Sequence, residues 1–417
     1  MSLFKSVIHS LTQTAARLGL GLVNVKIAAV FLGPTGVGLY GQFWSLFGVF
    51  SGPLVAPIAT VLTREMARAE NAEKQQQLIG QTIRLSFLLG LLIVAVTIPL
   101  AGSISEWLFQ SREYELQVAF AALALLPVFL NTTFSAAARG TRKLKALTIT
   151  ELLVALSGTI TVAAMIPRWG IHGAFWSLVL SAALASLLLL VQYRNSGWLA
   201  QLFSLRSNDN FRRDFLHFFA SAIITATTIA IVPIFLRNAI AAQLDLEHVG
   251  YWQAGARLAD LYFSLFSALF AMHYLPRFSE IRSKKEMLGE LQRGGRIMAP
   301  IIAGGAVVLY LLLDVVVPLI YTSQFLPLKQ IMGWQLAGVV MQATAWYLRY
   351  VMVAKGFTWW VAATDIGFSL LWLFMALGLL PHFGLAAVSI AYFMRYLLDA
   401  LYSAWKCRKV INGLTND

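Results

Sequence analysis

The feature that most restricts this chain is an apolar segment of about 20 residues that recurs from end to end. We predict twelve such segments, each long enough to cross a bilayer at about 1.5 Å per residue. They cover residues 8–32, 37–62, 85–104, 116–138, 146–166, 171–193, 215–236, 250–275, 298–321, 331–354, 359–380 and 385–405. The predicted fold class is therefore all-α: a polytopic integral membrane protein with 12 transmembrane helices.

Composition supports a membrane protein. Charged residues are only 12% of the sequence, against about 25% in soluble domains. The formal net charge is +13, which in a soluble protein would indicate nucleic acid. Because cytoplasmic loops of membrane proteins are rich in Lys and Arg, we predict a lipid bilayer as the environment and no nucleic acid as a partner.

The basic residues also predict orientation. On this map 23 of the 32 Lys and Arg residues fall in one set of loops and 4 in the opposite set. The richer side is predicted to be cytoplasmic, which places both termini in the cytoplasm. The N-terminal segment is interpreted as a first membrane helix, because it lacks the pattern of a signal peptide.

Short matches indicate an internal repeat. "VGLYGQFWSL" begins at Val37 and "VGYWQAGARL" at Val249, while "LTRE" begins at Leu62 and "LPRF" at Leu275. Six spans per half predict two bundles related by a pseudo-two-fold axis along the membrane normal. The predicted domains are an N-terminal lobe (1–193), a basic cytoplasmic linker (194–213), a C-terminal lobe (214–405) and a cytoplasmic tail (406–417).

Several function classes lose support. "GPTGVG" (33–38) lacks the lysine of a phosphate-binding loop, and neither H-E-x-x-H nor a Cys/His cluster is present. The loops predicted to be periplasmic are short, the longest spanning 237–249, which disfavours a membrane polymerase or ligase. We therefore predict a transporter and not an enzyme, with no catalytic residues, no metal and no cofactor.

Charged side chains inside the spans are the candidate functional residues, because each costs about 2.5–3.5 kcal/mol on insertion scales. Arg257 with Asp260, and Arg395 with Asp399, are spaced to neutralise each other on one helix face. Glu151, Arg349 and Asp365 lie near the cytoplasmic ends and could instead snorkel to the interface. These structural interpretations stand beside the functional ones.

Lys26 is the least easily explained of these charges. It lies deep in the first span with no acidic residue within four positions. Arg17 precedes it by nine residues, about 180° around a straight helix. Either the helix bends near Gly19 and Gly21 or only one cation faces a lumen, in which case we favour Lys26. A lysine bonded to a neighbouring helix is the structural alternative, but cations in a cavity favour an anionic cargo.

The chain resembles the Wzx-type polysaccharide flippases of the multidrug/oligosaccharidyl-lipid/polysaccharide exporter superfamily. The resemblance rests on the span count, the helix-1 cations, "LGPTGVGLYGQF" (32–43) and "VGYWQAGARLADLYFSLFSALFAMHYLPRFSEI" (249–281). The resemblance is strongest to the enterobacterial lipid III and O-antigen flippases. Of these two types, the lipid III type matches best at the Lys26 position and at the segment Val-Gly-x-Trp-Gln (249–253). The collinear pattern carries the resemblance, because no single motif is diagnostic.

The resemblance implies two six-helix bundles in a bacterial inner membrane that open alternately to each side. The implied cargo is an undecaprenyl-pyrophosphate-linked oligosaccharide, turned from the cytoplasmic to the periplasmic leaflet. Implied partners are that lipid, a periplasmic-side polymerase and a chain-length regulator. We assign the pyrophosphate to Lys26, Arg17, Arg257 and Arg395, and glycan contacts to Tyr40, Trp44, Tyr251, Trp252 and Tyr262.

The sequence leaves open which ion drives transport and whether the cargo is an anionic lipid or a cationic drug. Asp260, Asp365 and Glu151 are candidates for proton or ion coupling. The alternative function is a cation-coupled drug antiporter of the same superfamily. That class needs acidic residues to predominate in the lumen, whereas cations without a local partner are prominent here.

Overall fold

A computed structural model describes residues 3–194 and 209–414 of the chain. Side chains are described from residue 19 onward, apart from residues 144, 221, 224–226, 229, 268 and 358. Within these ranges the chain is helical almost throughout, and no β-strand is present. The prediction of an all-α fold is confirmed.

The helices follow the twelve predicted spans. The first six are α1 (3–32) and α2 (34–68), α3 (Ala72–Phe109), α4 (115–140), and α5 (144–169) and α6 (171–193). The last six are α7 (Asp209–Gln243), α8 (246–280), α9 (284–320), α10 (Lys329–Ala354), α11 (Thr358–Phe383) and α12 (Ala386–Asn412). A 3-10 turn, Ser323–Leu328, joins α9 to α10.

Two glycines divide long continuous helices into separate spans. The helix Leu3–Pro57 is broken at Gly33 (φ 62°, ψ −173°), and the helix Leu144–Tyr193 at Gly170 (φ 53°, ψ −128°). Because side chains with a Cβ rarely adopt these angles, each glycine sets where one helix ends and the next begins. No non-helical angle occurs at Gly19 or Gly21, so the structure does not support the first of the two alternatives for α1, a bend near these glycines.

Seven helices are long and apolar enough to cross a membrane by length and composition. Two of them, Gly19–Arg68 and Lys145–Tyr193, contain 50 and 49 residues. Such lengths extend over about 75 Å, more than twice the roughly 30 Å hydrocarbon core. Each therefore makes two crossings, separated by its glycine break.

The predicted spans α10 and α12 are not among these seven helices. Their more polar composition has an identifiable structural reason. These two helices pack together through polar side chains: Ser389 donates to Gln335 (2.9 Å), and Gln342 binds Tyr392 (2.8 Å) and Tyr396 (3.1 Å). Polar groups that bond across a helix pair are satisfied without water. Lower hydropathy thus accompanies an interhelical polar contact.

The chain forms two compact units, Met1–Ile234 and Phe235–Asp417. The first contains a core of Leu54, Ile58, Leu62, Phe134 and neighbours, with Phe211 and Phe215 of α7 packed into it. The second contains a core around Phe270, Tyr274, Phe278 and Tyr347. Most of the predicted linker, 194–213, lies outside the described residues, and the lobe boundaries stay a prediction.

The internal repeat has a backbone counterpart. A five-residue π-helical turn interrupts α2 at Ile58–Leu62 and α8 at Phe270–Tyr274, 212 residues apart. Each is followed by a six-residue helix, Thr63–Arg68 and Leu275–Glu280. Single π-turns inside α-helices are rare and frequently lie at functional sites. Their equal offset supports the repeat more strongly than the short sequence matches do.

The short helix that follows the first π-turn, Thr63–Arg68, packs tightly against α4. A Cβ built on Gly140 would lie 2.6 Å from the Met66 Cβ and 2.7 Å from the Thr63 carbonyl oxygen. Only glycine permits that approach, and Thr63 adds a hydrogen bond to the Ala136 carbonyl (3.3 Å). The C-terminal end of α2 is therefore fixed to the C-terminal end of α4.

Candidate functional site

The N-terminal unit contains a groove between α2, α4, α5 and α6. Its volume is about 430 Å³, within the usual range for ligand sites. Along α2 it extends from Trp44 to Ala59, which at 1.5 Å per residue is about 22 Å. The groove is therefore long and narrow, a shape that suits a chain-like ligand.

The wall of the groove is mostly apolar but also contains aromatic, polar and charged side chains: Trp44, Asn131, Thr132, Ser135, Ser181, Arg139 and Glu151. Trp44 is 58% exposed, and an exposed indole offers both a flat apolar face and a hydrogen-bond donor. Asn131 is held in place by a bond to the Ala182 carbonyl (3.2 Å) and one from Ser186 (2.8 Å). The groove thus combines a flat ring with oriented polar groups.

One ion pair lies at the end of this groove where α4 ends and α5 begins. Arg139 contacts Glu151 at 3.5 Å, and the Arg139 side chain is 48% exposed while that of Glu151 is largely buried. Glu151 therefore borders the groove rather than snorkelling alone. Because Arg139 is half-exposed, this pair contributes little to stability, and the arginine borders the open space of the groove.

The remaining candidates of this unit lie on α1 and α2. Lys26 is half-buried in α1 and takes part in an interaction within the structure. The Arg17 side chain falls outside the described side chains. Tyr40 packs beside the aromatic cluster that includes Phe43 and Phe175, where those two rings stack at 4.3 Å. Of this unit's candidates, the structure brings Trp44 and Glu151 together in one groove.

The C-terminal unit buries several charged side chains. Arg349 of α10 is fully buried and contacts two carboxylates, Asp365 through Nη1 and Asp399 through Nη2 at 2.8 Å. Asp399 also accepts a hydrogen bond from Ser403 at 3.1 Å. The expectation that Arg349 and Asp365 snorkel to the interface is wrong, because both belong to an ion cluster that joins α10, α11 and α12.

Arg395 does not pair with Asp399, contrary to the interpretation from their spacing. Its guanidinium lies over the rings of Tyr396 (4.5 Å) and Trp372 (5.6 Å). Among the described residues no carboxylate lies within 4.0 Å of it. Cation–π contacts of this kind hold a buried cation without neutralising it.

Trp252 connects Arg395 to a second buried arginine. The Trp252 ring lies 6.2 Å from that of Trp372, and the Arg237 guanidinium lies over the Trp252 ring at 5.4 Å. Trp252 is only 3% exposed. The structure therefore places this predicted glycan contact in an aromatic row between two cations.

Arg257 and Asp260 are exposed on α8. In the part of the chain that the structure describes, no ion pair within 4.0 Å joins them, so the interpretation of mutual neutralisation is not supported. Tyr262 donates to the Ile302 carbonyl (2.5 Å), and Tyr251 bonds Glu247. Both tyrosines therefore tie α8 to its surroundings through their hydroxyl groups.

Sequence reasoning missed the grouping of Arg349 with Asp399 and the role of Trp372. The sequence does show that Arg349 and Asp399 are charged residues inside predicted spans, and this is the signal that could have led to them. Their partners lie 16 and 50 positions away from Arg349, however, and helical spacing reveals only neighbours three or four apart. Contacts between helices had no such signature.

Comparisons with known proteins agree with this architecture. The profile of the family described as "Polysaccharide biosynthesis protein" matches residues 3–282. The lipid III flippases of Escherichia coli (strain K12) and Shigella flexneri are each 26% identical over 401 residues, covering 95% of this chain and 96% of theirs.

Solved structures with a similar fold are transporters. A multidrug resistance MATE family transporter of the MOP superfamily, in an inward-facing conformation, matches with a TM-score of 0.80 at 15% identity, covering 95% of this chain and 94% of its own. A MOP superfamily transporter from Pyrococcus furiosus matches with a TM-score of 0.61 at 15% identity, over 97% and 94%. At this identity the likeness shows the fold, including its twelve transmembrane helices.

Proposed function

Since the chain belongs to the polysaccharide biosynthesis protein family, we propose that it is a flippase for lipid-linked oligosaccharides. Its cargo would be an undecaprenyl-pyrophosphate-linked unit of the lipid III or O-antigen type. Movement would proceed from the cytoplasmic to the periplasmic leaflet by alternating access. The two lipid III flippases that align over 95% of the chain support the substrate class.

The observation that carries the proposal is the buried cation Arg395. It is 8% exposed, rests on aromatic rings and has no carboxylate partner among the described residues. An intramembrane cation of this kind is costly unless it serves a ligand or pathway. A pyrophosphate is a fitting ligand, because guanidinium groups bind phosphoryl oxygens through charge-assisted hydrogen bonds.

The other proposed headgroup ligands are Lys26, Arg17 and Arg257. Lys26 is half-buried in α1 and Arg257 is exposed on α8. A pyrophosphate cannot enter hydrocarbon without its water, and these cations would replace part of that hydration. The prenyl tail would stay in lipid.

The glycan is proposed to occupy the groove of the N-terminal unit. Trp44 offers a ring face, and Asn131, Ser135 and Ser181 offer hydrogen-bonding groups along the wall. Tyr40 remains a further candidate. Tyr251, Trp252 and Tyr262 already have ring or hydroxyl contacts in the C-terminal unit, so any contact with sugar would involve their remaining edges.

The membrane potential would favour outward movement of an anion. A potential that is negative inside contributes about 2.3 kcal/mol per charge for each 100 mV. Proton or ion coupling through Asp260, Asp365 or Glu151 is the alternative source. Glu151 contacts Arg139 and Asp365 contacts Arg349, so protonation of either carboxyl would weaken that contact, although Arg349 would keep its bond to Asp399.

The proposed location is the bacterial inner membrane with both termini in the cytoplasm. The excess of Lys and Arg in one set of loops supports that orientation. A polymerase and a chain-length regulator acting at the periplasmic side are the proposed partners, since a flipped oligosaccharide must be consumed there.

Liposomes test the proposal directly. We would follow the transbilayer movement of a fluorescent prenyl-pyrophosphate oligosaccharide in wild type, Lys26→Ala and the control Lys74→Ala, an exposed lysine in the first turn of α3. Rapid movement by wild type and the control, with strong loss in Lys26→Ala, is expected. If wild type moves a cationic dye and not the lipid, the chain is a drug antiporter instead.

A further inference from the structure

A single carboxylate of α12 lies within reach of two buried arginines. Asp399 is fully buried and its Oδ1 accepts from Arg349 (2.8 Å) and Ser403 (3.1 Å). Arg395 lies four residues earlier on the same helix, a spacing that makes the two side chains neighbours. The carboxylate therefore has one arginine bound and a second arginine within one helical turn.

Three hydrogen-bonding atoms in this cluster have no partner. They are Oδ2 of Asp399, Nε of Arg349 and Nε of Arg395, all buried. Buried polar atoms are normally hydrogen-bonded, and exceptions call for an explanation. The unused acceptor belongs to the carboxylate and the unused donors to the two arginines, so each arginine retains capacity for a further acceptor.

The charges around Asp399 come from three helices. Arg349 lies on α10, Asp365 on α11, and Arg395 on α12 itself. In the observed arrangement Arg349 holds both carboxylates, while Arg395 rests on Tyr396 and Trp372. If Asp399 turned to Arg395, Arg349 would still keep Asp365, so neither arginine would be left without a carboxylate.

We propose that Asp399 is an exchangeable competitor for Arg395: bound to Arg349 it leaves Arg395 free to hold a phosphoryl group of the cargo, and transferred to Arg395 it displaces that group. The inference rests on the proposed function. Of the two arginines, Arg395 keeps part of its side chain at the protein surface, with 8% exposure, whereas Arg349 is fully buried. Arg349 and Asp365 are then positioning residues that set which partner Asp399 takes.

Such an exchange answers a physical problem of phosphate transport. A buried cation that binds a phosphoryl group strongly enough to replace its hydration also releases it slowly. A carboxylate four residues away supplies a replacement partner at the moment of release, and two arrangements of similar energy can be shifted by a ligand that binds one of them. Binding favours the Arg349–Asp399 arrangement, and release favours the Arg395–Asp399 arrangement.

The test compares full-length variants in two assays. The first measures binding of inorganic pyrophosphate to the detergent-purified protein, and the second measures flipping of a fluorescent prenyl-pyrophosphate oligosaccharide in liposomes. Asp399→Asn removes the competitor, so pyrophosphate should bind about tenfold more tightly while flipping slows. Arg395→Gln should lose both binding and flipping. Arg408→Gln, exposed near the end of the same helix, serves as the control.

Two results would overturn the exchange. One is equal pyrophosphate affinity in wild type and Asp399→Asn, and the other is unchanged binding in Arg395→Gln. If Asp399→Asn does not fold, Asp399→Glu extends the competitor towards Arg395 and should weaken pyrophosphate binding, so unchanged affinity there has the same meaning. Failure of the wild-type protein to flip the lipid at all would instead remove the proposed function.

The two assays also separate the possible sources of the phosphoryl group. If Arg395→Gln loses binding of inorganic pyrophosphate but flips the lipid at the wild-type rate, the site serves free pyrophosphate and the exchange is not part of lipid transport. Parallel loss in both assays assigns the site to the lipid headgroup.

Discussion

The two units place intramembrane charge in opposite ways. In the N-terminal unit the pair Arg139–Glu151 is long, at 3.5 Å, and borders an open groove. In the C-terminal unit Arg349, Asp365 and Asp399 form a cluster whose arginine is fully buried. A charge at a groove can meet a ligand directly, whereas a buried cluster acts only through a change of partner. Residues of the same types are therefore placed beside a groove in one unit and inside a packed cluster in the other.

The largest expected effect separates those two arginines. Arg349→Met leaves two carboxylates in a buried site without their cation, and we expect a loss of about 3–5 kcal/mol in the free energy of unfolding. Arg139→Met breaks an exposed pair and should cost less than about 1 kcal/mol. Chemical denaturation in detergent micelles measures both. Equal losses would show that the two pairs do not differ in kind.

A second prediction contrasts two tryptophans that sequence reasoning treated alike. Trp252 is 3% exposed and Trp44 is 58% exposed. Trp252→Ala should lower stability by about 3–5 kcal/mol, because it empties a packed site. Trp44→Ala should change stability by no more than about 0.5 kcal/mol yet slow flipping about tenfold, equivalent to about 1.4 kcal/mol.

Trp169 is the matched control, since it is 57% exposed but lies beside the turn at Gly170. Trp169→Ala should leave stability and flipping close to wild type. If it slows flipping as much as Trp44→Ala does, the effect belongs to membrane anchoring and not to the groove.

Much of the fold was accessible from sequence because its signals are local. Apolar segments gave the spans, and the turns at Gly33 and Gly170 fall between predicted helices. The family and the assignment as a transporter rather than an enzyme are likewise confirmed by the relatives. The predicted periplasmic loop 237–249 is wrong in extent, because α7 continues to Gln243 and α8 begins at Leu246.

The candidate site was less accessible for a physical reason. The spacing of Arg395 and Asp399 predicted a pair on one helix, but Asp399 binds an arginine 50 positions away. A buried carboxylate chooses among all cations that tertiary packing brings near, and a single sequence does not show that packing. The roles proposed for Lys26, Arg17 and Arg257 remain predictions.

A third prediction concerns a feature that the two units share. Ala59 and Ala271 occupy the second position of the two π-turns, so deletion of either restores an unbroken α-helix. We expect each deletion to cost about 1–3 kcal/mol and to slow flipping. Comparable losses of stability and flipping in the two variants would support equivalent roles for the two π-turns. A loss in only one variant would mean that the two π-turns share backbone geometry but not a role.

Deletion of Ala95 provides the control for these two variants. It removes an exposed residue from α3, within the regular helix Ala72–Phe109. Removing a residue there turns every later side chain by about 100°, so the loss of stability should exceed that of either π-turn deletion. If deletion of Ala95 cost less stability than the π-turn deletions, Ala59 and Ala271 could not be regarded as extra residues inserted into otherwise regular helices.

The smallest expected effect compares one helix cap in each unit. Asn71 accepts from the Lys74 backbone N–H at the start of α3 (2.8 Å), and Asp245 accepts from that of His248 at the start of α8 (2.8 Å). Burial of the Asp245 carboxyl opposes its ionisation, but hydrogen bonds and charge from His248 outweigh this and lower the pKa of Asp245. Each cap should contribute about 1 kcal/mol at neutral pH.

The two caps should then separate on acidification. A carboxyl with a lowered pKa stabilises the folded state above the pKa of the unfolded chain, and that contribution disappears as pH falls through the folded-state value. The cost of Asp245→Ala should therefore become smaller in acid, because the cap loses its charge, while that of Asn71→Ala stays constant because an amide does not titrate. Unfolding measured at neutral and acid pH checks this, and a constant cost for Asp245→Ala would mean that its charge adds nothing to the cap.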